Sequence, residues 1–193
     1  MIDSPLPRPS LRRSRFLSEL AETLVLVLLL YTLVNLATER FYVEGPSMEP
    51  SFVTGQFVLV SRLNYLFGEP RRGDIVVFNS PEYVDQPDHP PLIKRLIGLP
   101  GEHIEIRQGQ VYVDGALLDQ PYINNPQTPF LRNDGDWQLG PDEFFVLGDN
   151  RAHSEDSGEF GAVSRERLSG RALVRYWPPS DWAILENYRM PAQ

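Results

Sequence analysis

Hydrophobic and polar positions along this chain fall into two regimes that meet near Thr38. Residues 20–38 form a nearly unbroken apolar run, dominated by residues 24–30 with Leu33, Val34 and Leu36. As a helix, about 19 residues at about 1.5 Å each cover about 28 Å, the thickness of a bilayer core. Ten such side chains at about −0.3 to −0.6 kcal/mol each contribute roughly −3 to −6 kcal/mol toward insertion. Glu22 and Asn35 lie near the ends of the run, where a polar group reaches the interface at lower cost. Beyond Thr38 the apolar stretches are short and punctuated by Gly and Pro, the pattern of an all-β domain. Phe57-Val58-Leu59-Val60, Asp74-Ile75-Val76-Val77-Phe78, Phe144-Phe145-Val146-Leu147 and Arg171-Ala172-Leu173-Val174-Arg175-Tyr176 read as strands. Residues 103–118 alternate, with Ile104, Ile106, Val111 and Val113 on one side and Glu105 and Tyr112 on the other. Gln108-Gly109 and Asp114-Gly115 supply the left-handed positions that tight hairpin turns demand. Residues 81–91 and 119–142, rich in Pro, Asn and Asp, read as loops.

The expected fold is all-β, a partly open β-barrel or antiparallel sheet preceded by a single transmembrane helix. Its boundaries are an irregular basic tail over residues 1–19, an anchor helix over 20–38 and a folded domain over 39–193. Arg8, Arg12, Arg13 and Arg15 precede the apolar run, which predicts a cytoplasmic N-terminus and a domain on the exported side. A cleaved signal peptide and a buried core helix are the alternatives. The first wants small residues at A-x-A spacing, and Asn35-Leu36-Ala37 fits that poorly.

A length of 193 residues suits one compact domain with a short appendage. The formal net charge of −8 disfavours broad attraction of the main body to nucleic acid or anionic lipid. With no cysteine, disulfides, thiolate catalysis and Cys-based metal sites are excluded. No residue cluster has metal-ligand spacing and no Gly-rich phosphate loop appears, so neither metal nor cofactor is expected, nor a nucleic-acid partner.

Candidate chemistry centres on Ser47, within Gly45-Pro46-Ser47-Met48-Glu49-Pro50. The flanking glycine and prolines impose an irregular turn, which can lift a hydroxyl clear of a sheet and leave backbone N–H groups for an oxyanion. Serine is a weak nucleophile until a neighbouring base takes its proton. Lys94 sits among Leu92, Ile93, Leu96 and Ile97, company that lysine avoids unless partnered or functional. On a strand it shares a face with Leu92 and Leu96. A lysine base must lose its proton near pH 7–8, a drop of about 2.5–3 units from about 10.4, worth roughly 4 kcal/mol and attainable by desolvation. The bland alternative is an exposed edge-strand lysine. A histidine base is also conceivable, because His153 lies close to Ser154, Asp156 and Ser157. His89 and His103 read as solvated.

Taken together, these islands resemble type I signal peptidases, membrane-bound Ser-Lys endopeptidases that remove signal peptides from exported proteins. The resemblance runs from the anchor to about residue 175 and includes Gly45-Pro46-Ser47-Met48-Glu49-Pro50-Ser51 and Arg72-Gly73-Asp74-Ile75-Val76-Val77-Phe78. Lys94-Arg95-Leu96-Ile97-Gly98-Leu99-Pro100-Gly101-Glu102 and Gly148-Asp149-Asn150-Arg151-Ala152-His153-Ser154-Glu155-Asp156-Ser157 follow in order. The resemblance implies Ser47 as nucleophile and Lys94 as general base. It implies the Ser47 N–H as one oxyanion donor and Ser154 as the hydroxyl that orients the lysine amine. Gly45 occupies the place where many members supply a second oxyanion donor from a serine, which leaves a backbone group as the candidate. Asp149, Arg151 and Asp156 match residues that hold the site together by charge-assisted contacts. Where the family reads Asp-Ser-Arg, this chain reads Asp156-Ser157-Gly158, so the arginine partner of Asp156 is missing or comes from elsewhere, such as Arg151. Phe41, Val43 and Ile93 match the shallow apolar pockets that admit only small substrate residues at −3 and −1. The implied partners are preprotein signal peptides and the lipid bilayer, in proximity to the secretion translocon, with the domain facing the periplasm or a thylakoid lumen. Tyr176, Trp177, Trp182 and Tyr188 suit either an interfacial contact or ordinary packing. Two rivals are a self-cleaving Ser-Lys repressor, which would carry a DNA-binding helical domain, and a catalytically dead tethered β-module.

Overall fold

The computed structural model describes residues 11–86, 88–123 and 134–185. The chain divides at Ala37/Thr38 into two units. The first contains helix α1 (Leu11–Ala37), 27 residues long. Its segment Arg15–Ala37 is long and apolar enough, by length and composition, to cross a membrane. Thr23, Thr32 and Asn35 each donate to the carbonyl four residues earlier, so their polar hydrogens are used within the helix, as an apolar solvent requires. The helix starts well before residue 20, and residues 11–19 are helical where the sequence reading placed an irregular tail. Leu, Arg, Ser and Glu after the last proline offer nothing to stop a helix that the apolar run has nucleated. Residues 1–10, with Arg8, lie outside the described residues, as does Tyr188.

The second unit is antiparallel β structure, as the alternation predicts. Twelve strands are present among the described residues: β1 (Thr38–Tyr42), β2 (Phe57–Ser61), β3 (Ile75–Phe78), β4 (Leu92–Gly98), β5 (His103–Arg107), β6 (Gln110–Val113), β7 (Ala116–Leu117), β8 (Gly135–Gln138), β9 (Glu143–Leu147), β10 (Val163–Ser164), β11 (Leu168–Trp177) and β12 (Ala183–Ile184). A short helix α2 (Leu63–Phe67) follows β2, and another, α3 (Ser157–Phe160), precedes β10. The larger sheet is open, ordered β1-β2-β11-β3-β4-β9-β10 with β12 beside β11. The smaller is ordered β7-β6-β5-β8.

Every residue of β3 is buried and β4 is nearly so, which explains why these central strands read as continuous apolar runs. One cluster joins Val43, Met48, Phe52, Val58 and Ile93, and another joins Val76, Phe78, Leu96, Phe144 and Val146. The smaller sheet packs its alternating face, Ile104, Ile106, Val111 and Val113, with Ile97, Phe145 and Leu147. Both hairpin turns take the predicted left-handed form, with φ of 50° and 78° at Gln108 and Gly109 and of 49° and 81° at Asp114 and Gly115. Within the predicted loop over 119–142, residues 124–133 lie outside the described residues, and β8 is an unpredicted strand. Its sequence, Gly135-Asp136-Trp137-Gln138, carries one apolar side chain, and Trp137 packs on Phe145 at 4.8 Å.

Candidate active site

The turn that follows β1 delivers Ser47. Gly45 takes φ +81°, a left-handed conformation, and the turn is tied by Glu49 N–H to Pro46 O at 3.0 Å and Phe52 N–H to Met48 O at 2.9 Å. Met48 and Phe52 are buried, so the turn is anchored by its apolar members while Ser47 remains half-buried. Lys94, on the central strand β4, is 3% exposed, and its Nζ lies 2.9 Å from Ser47 Oγ. Register pairs Lys94 with Val76 and Leu92 with Phe78, so the lysine emerges on the face of Val76, Phe78 and Leu96. The edge-strand alternative for Lys94 is thereby excluded. His153 instead lies on the surface, its Nδ1 3.3 Å from Asn150 Oδ1, and the base contact to Ser47 belongs to the lysine.

The loop after β9 closes the site from the other side. Asn150 N–H donates to Ser47 O at 3.0 Å, and its Nδ2 donates to Pro46 O at 3.1 Å. Among the described residues the Ser47 amide donates to no protein acceptor. Asp149 is 2% exposed and receives a forked contact from Arg95, Nε to Oδ1 at 2.8 Å and Nη2 to Oδ2 at 2.6 Å. Ser51 Oγ donates to the same carboxylate at 2.5 Å. Arg95 also donates to Gly73 O at 3.1 Å and covers the Tyr122 ring at 4.0 Å. Burial pulls the Arg95 guanidinium down, but the bond to Asp149 and its charge outweigh that and raise it.

Arg151, also buried, donates from Nε to Gly148 O at 2.9 Å and from Nη2 to Gln120 Oε1. Burial lowers its pKa, opposed by Tyr122, Asp149 and Asp156. Asp156 accepts from Gly148 N–H at 3.0 Å and from Gly158 N–H at 3.1 Å, capping α3. Two backbone amides thus serve the carboxylate whose family arginine is replaced by Gly158.

Ser154 departs from expectation. Its Oγ is buried and has no hydrogen-bond partner, so the expected bond to the Lys94 amine is not formed. The hydroxyl is turned toward Gly148, where an added Cβ would lie 2.1 Å from Ser154 Oγ and 2.5 Å from Ser47 O. Glycine at 148 is what lets the loop approach this closely. Val43 and Ile93 join Met48 in one buried cluster with Phe41 packed against it, directly beside the nucleophile turn. Among the described residues no group of three or more carboxylate or histidine side chains is arranged to hold a metal.

Sequence reasoning missed three participants. Arg95 carried a signal, since successive strand residues point to opposite faces and a charge beside Lys94 in a doubly covered strand needs a partner. Tyr83 and Glu155 carried none. Tyr83 OH donates to Glu155 Oε1 at 2.7 Å, and its ring stacks on His89 at 3.5 Å. That bond raises the Tyr83 phenol to about 12. It also lowers the Glu155 carboxyl, against the opposing pull of its partial burial.

Comparison with known proteins adds to this geometry. A family profile described as signal peptidase, peptidase S26, matches residues 17–177. A probable signal peptidase I-2 of Synechocystis sp. is 40% identical over 167 residues, 83% of this chain and 73% of the relative. A signal peptidase I of Leptolyngbya laminosa is 41% identical over 149 residues, 72% and 69% of the two chains. One of Bacillus caldolyticus is 36% identical over 171 residues, 83% and 91%. A solved structure of a signal peptidase I from Enterococcus faecalis V583 is 31% identical, with a TM-score of 0.45 over 53% of this chain and 96% of that one.

Proposed function

The chain belongs to the peptidase S26 family of signal peptidases, serine peptidases that cleave signal peptides, and we propose that it does so as a membrane-bound enzyme with Ser47 as nucleophile and Lys94 as general base. The observation that carries this reading is the 2.9 Å approach of Lys94 Nζ to Ser47 Oγ at a lysine only 3% exposed. Removal from water penalises the ammonium and favours the neutral amine, which can accept a proton. Ser47 Oγ attacks the scissile carbonyl carbon as its proton passes to Lys94 Nζ. The Ser47 N–H receives the oxyanion. The C–N bond then breaks as Lys94 returns the proton to the leaving amine, and an ester to Ser47 remains. Water, giving its proton to the same amine, adds to the ester carbonyl, and the C–Oγ bond breaks as Lys94 returns that proton to Ser47 Oγ, which restores both groups and releases the acid.

Phe41, Val43 and Ile93 form the apolar wall against which substrate side chains at −3 and −1 pack. Val43 and Ile93 are themselves consumed by the core, so the wall has little depth, and a large residue there would overlap it. α1 spans the bilayer with the arginine-rich end in the cytoplasm, and the β unit works on the exported side, in a periplasm or thylakoid lumen, near the translocon. The test is a preprotein cleavage assay on Ser47→Ala and Lys94→Met, each checked for intact fold by circular dichroism. Both variants are expected to fold and to lose processing. Robust cleavage by Lys94→Met would refute the dyad.

A further inference from the structure

The loop that carries Ser47 is closed at its base and gripped again further along. Val43 N–H donates to Gln56 O at 2.9 Å and Gly55 N–H donates to Val43 O at 3.0 Å, so residues 43–56 return to their own start. Ser51, later in the same loop than Ser47, is held from two sides. Its Oγ donates to the Asp149 carboxylate, and its main-chain oxygen accepts from Arg175 Nη1 at 2.9 Å. Arg175 comes from β11, where its backbone pairs with Val58 and Ala183. That pairing is main-chain and makes no demand on the side chain.

The guanidinium bridges the nucleophile loop and the turn Pro179–Asp181 that follows β11. While Nη1 reaches Ser51 O, Nε donates to Asp181 O at 2.7 Å. The Asp181 carboxylate in turn accepts from Gln56 Nε2 at 2.7 Å, and Gln56 Oε1 accepts from Val53 N–H at 3.1 Å. Gln56 is buried, and the guanidinium carbon lies 5.8 Å from the ring of Phe52, an apolar anchor of the same loop. A planar fork with donors on two edges suits two carbonyls at once, whereas the single ammonium of a lysine reproduces one of them. We propose that Arg175 is a positioning residue for the reaction, fixing through Ser51 O where the turn holds Ser47 Oγ relative to Lys94 Nζ. Lys94 rides on a buried central strand, so the 2.9 Å separation is set by the loop. Asn150 holds one side of that loop at Ser47 O and Pro46 O, and Arg175 holds the other. With one hold gone the turn can shift, and a misplacement of about 1 Å at the reacting atoms costs on the order of 100-fold in rate. This rests on the reading of Ser47 as nucleophile.

The test is steady-state cleavage of a soluble signal peptide by the full chain in detergent, for Arg175→Met, Arg175→Lys and Ser47→Ala, with thermal melting of each followed by circular dichroism. Arg175→Met is expected to stay folded at the assay temperature and to lose about 10- to 100-fold in kcat, with KM within about twofold of the parent. Arg175→Lys, which keeps one donor, should recover part of that loss. Parental kcat in Arg175→Met, with Ser47→Ala inactive, would overturn the positioning role and leave the dyad standing. A raised KM at parental kcat would assign Arg175 to substrate binding and overturn it too. Cleavage by Ser47→Ala would remove the nucleophile and this proposal together. Where Arg175→Met does not fold, Arg175→Lys decides. A folded lysine variant with lowered kcat and unchanged KM supports positioning. A folded one at parental kcat, or cleavage that is lost only as the fold is lost, makes Arg175 a side chain of the fold alone and overturns the proposal.

Discussion

Replacing Arg95 by Met tests how the nucleophile turn is held. The Arg95 and Asp149 side chains are 5% and 0% exposed, so the substitution leaves a carboxylate buried with its forked partner gone. Breaking such a pair from one side costs about 3–5 kcal/mol, a large share of a total stability of about 5–15 kcal/mol. The bond to Gly73 O and the contact with Tyr122 go with it. For urea unfolding with a slope of about 2 kcal/mol/M, the midpoint is expected to fall by about 1.5–2.5 M. The assay is tryptophan fluorescence of the full chain in detergent, with Trp137 packed against Phe145 as an internal probe. Cleavage should fall as well, because Asp149 precedes the Asn150 that donates to Ser47 O and Pro46 O. Arg95→Lys keeps the charge but lacks the fork, and should lie between the two. The Arg95→Met/Asp149→Leu double variant removes both charges and should recover most of the midpoint without recovering cleavage. A midpoint within about 0.5 M of the parent for Arg95→Met would refute the reasoning.

Cleavage is also expected to rise from acid toward mildly alkaline pH, since only the unprotonated Lys94 amine can take the Ser47 proton. The measurement is kcat/KM against pH on a soluble signal peptide, and full activity maintained below about pH 6 would argue against a lysine base. Ser154→Ala deletes a buried hydroxyl that has no partner, so the fold should keep its stability or gain up to about 1–3 kcal/mol, while the proposed orienting role, in which the hydroxyl turns to the Lys94 amine during turnover, predicts that cleavage falls. A lowered Tm would show that the hydroxyl is already bonded in the resting enzyme, and parental kcat would remove it from the reaction.

Much of the fold was legible because its signals were local. Alternation over residues 103–113 and the left-handed pairs Gln108-Gly109 and Asp114-Gly115 describe a hairpin whatever it packs against. β8 was not legible, because a four-residue strand with one tryptophan is stabilised by register with β5 and by Phe145, contacts made at long range. The start of α1 was misplaced for a related reason. Hydropathy marks where a helix enters lipid, whereas Leu11 to Glu19 continue it by propensity alone. At the site, Ser47 and Lys94 stood out by their surroundings, a rigid turn and an apolar strand. The resting state of Ser154 could not be read, because it depends on a rotamer facing Gly148.

The two neighbouring cations of β4 show how one strand serves both structure and chemistry. Lys94 and Arg95 point to opposite faces, yet both reach the same turn, Lys94 at Ser47 Oγ and Arg95 at Ser51 Oγ, 2.9 Å and 3.4 Å away. The fold gives Arg95 a carboxylate and sets Lys94 against a hydroxyl, and that difference matches what each side chain can do. A guanidinium stays charged wherever it is placed, so its burial requires the anion that Asp149 supplies. An ammonium can instead shed its proton when desolvated, and beside a hydroxyl it becomes an acceptor. Exchanging the two would place a permanent cation next to the nucleophile and a point charge where a fork is needed. Under the proposed dyad, the order Lys94-Arg95 therefore expresses a chemical asymmetry: the first residue has to be able to become neutral, and the second must not.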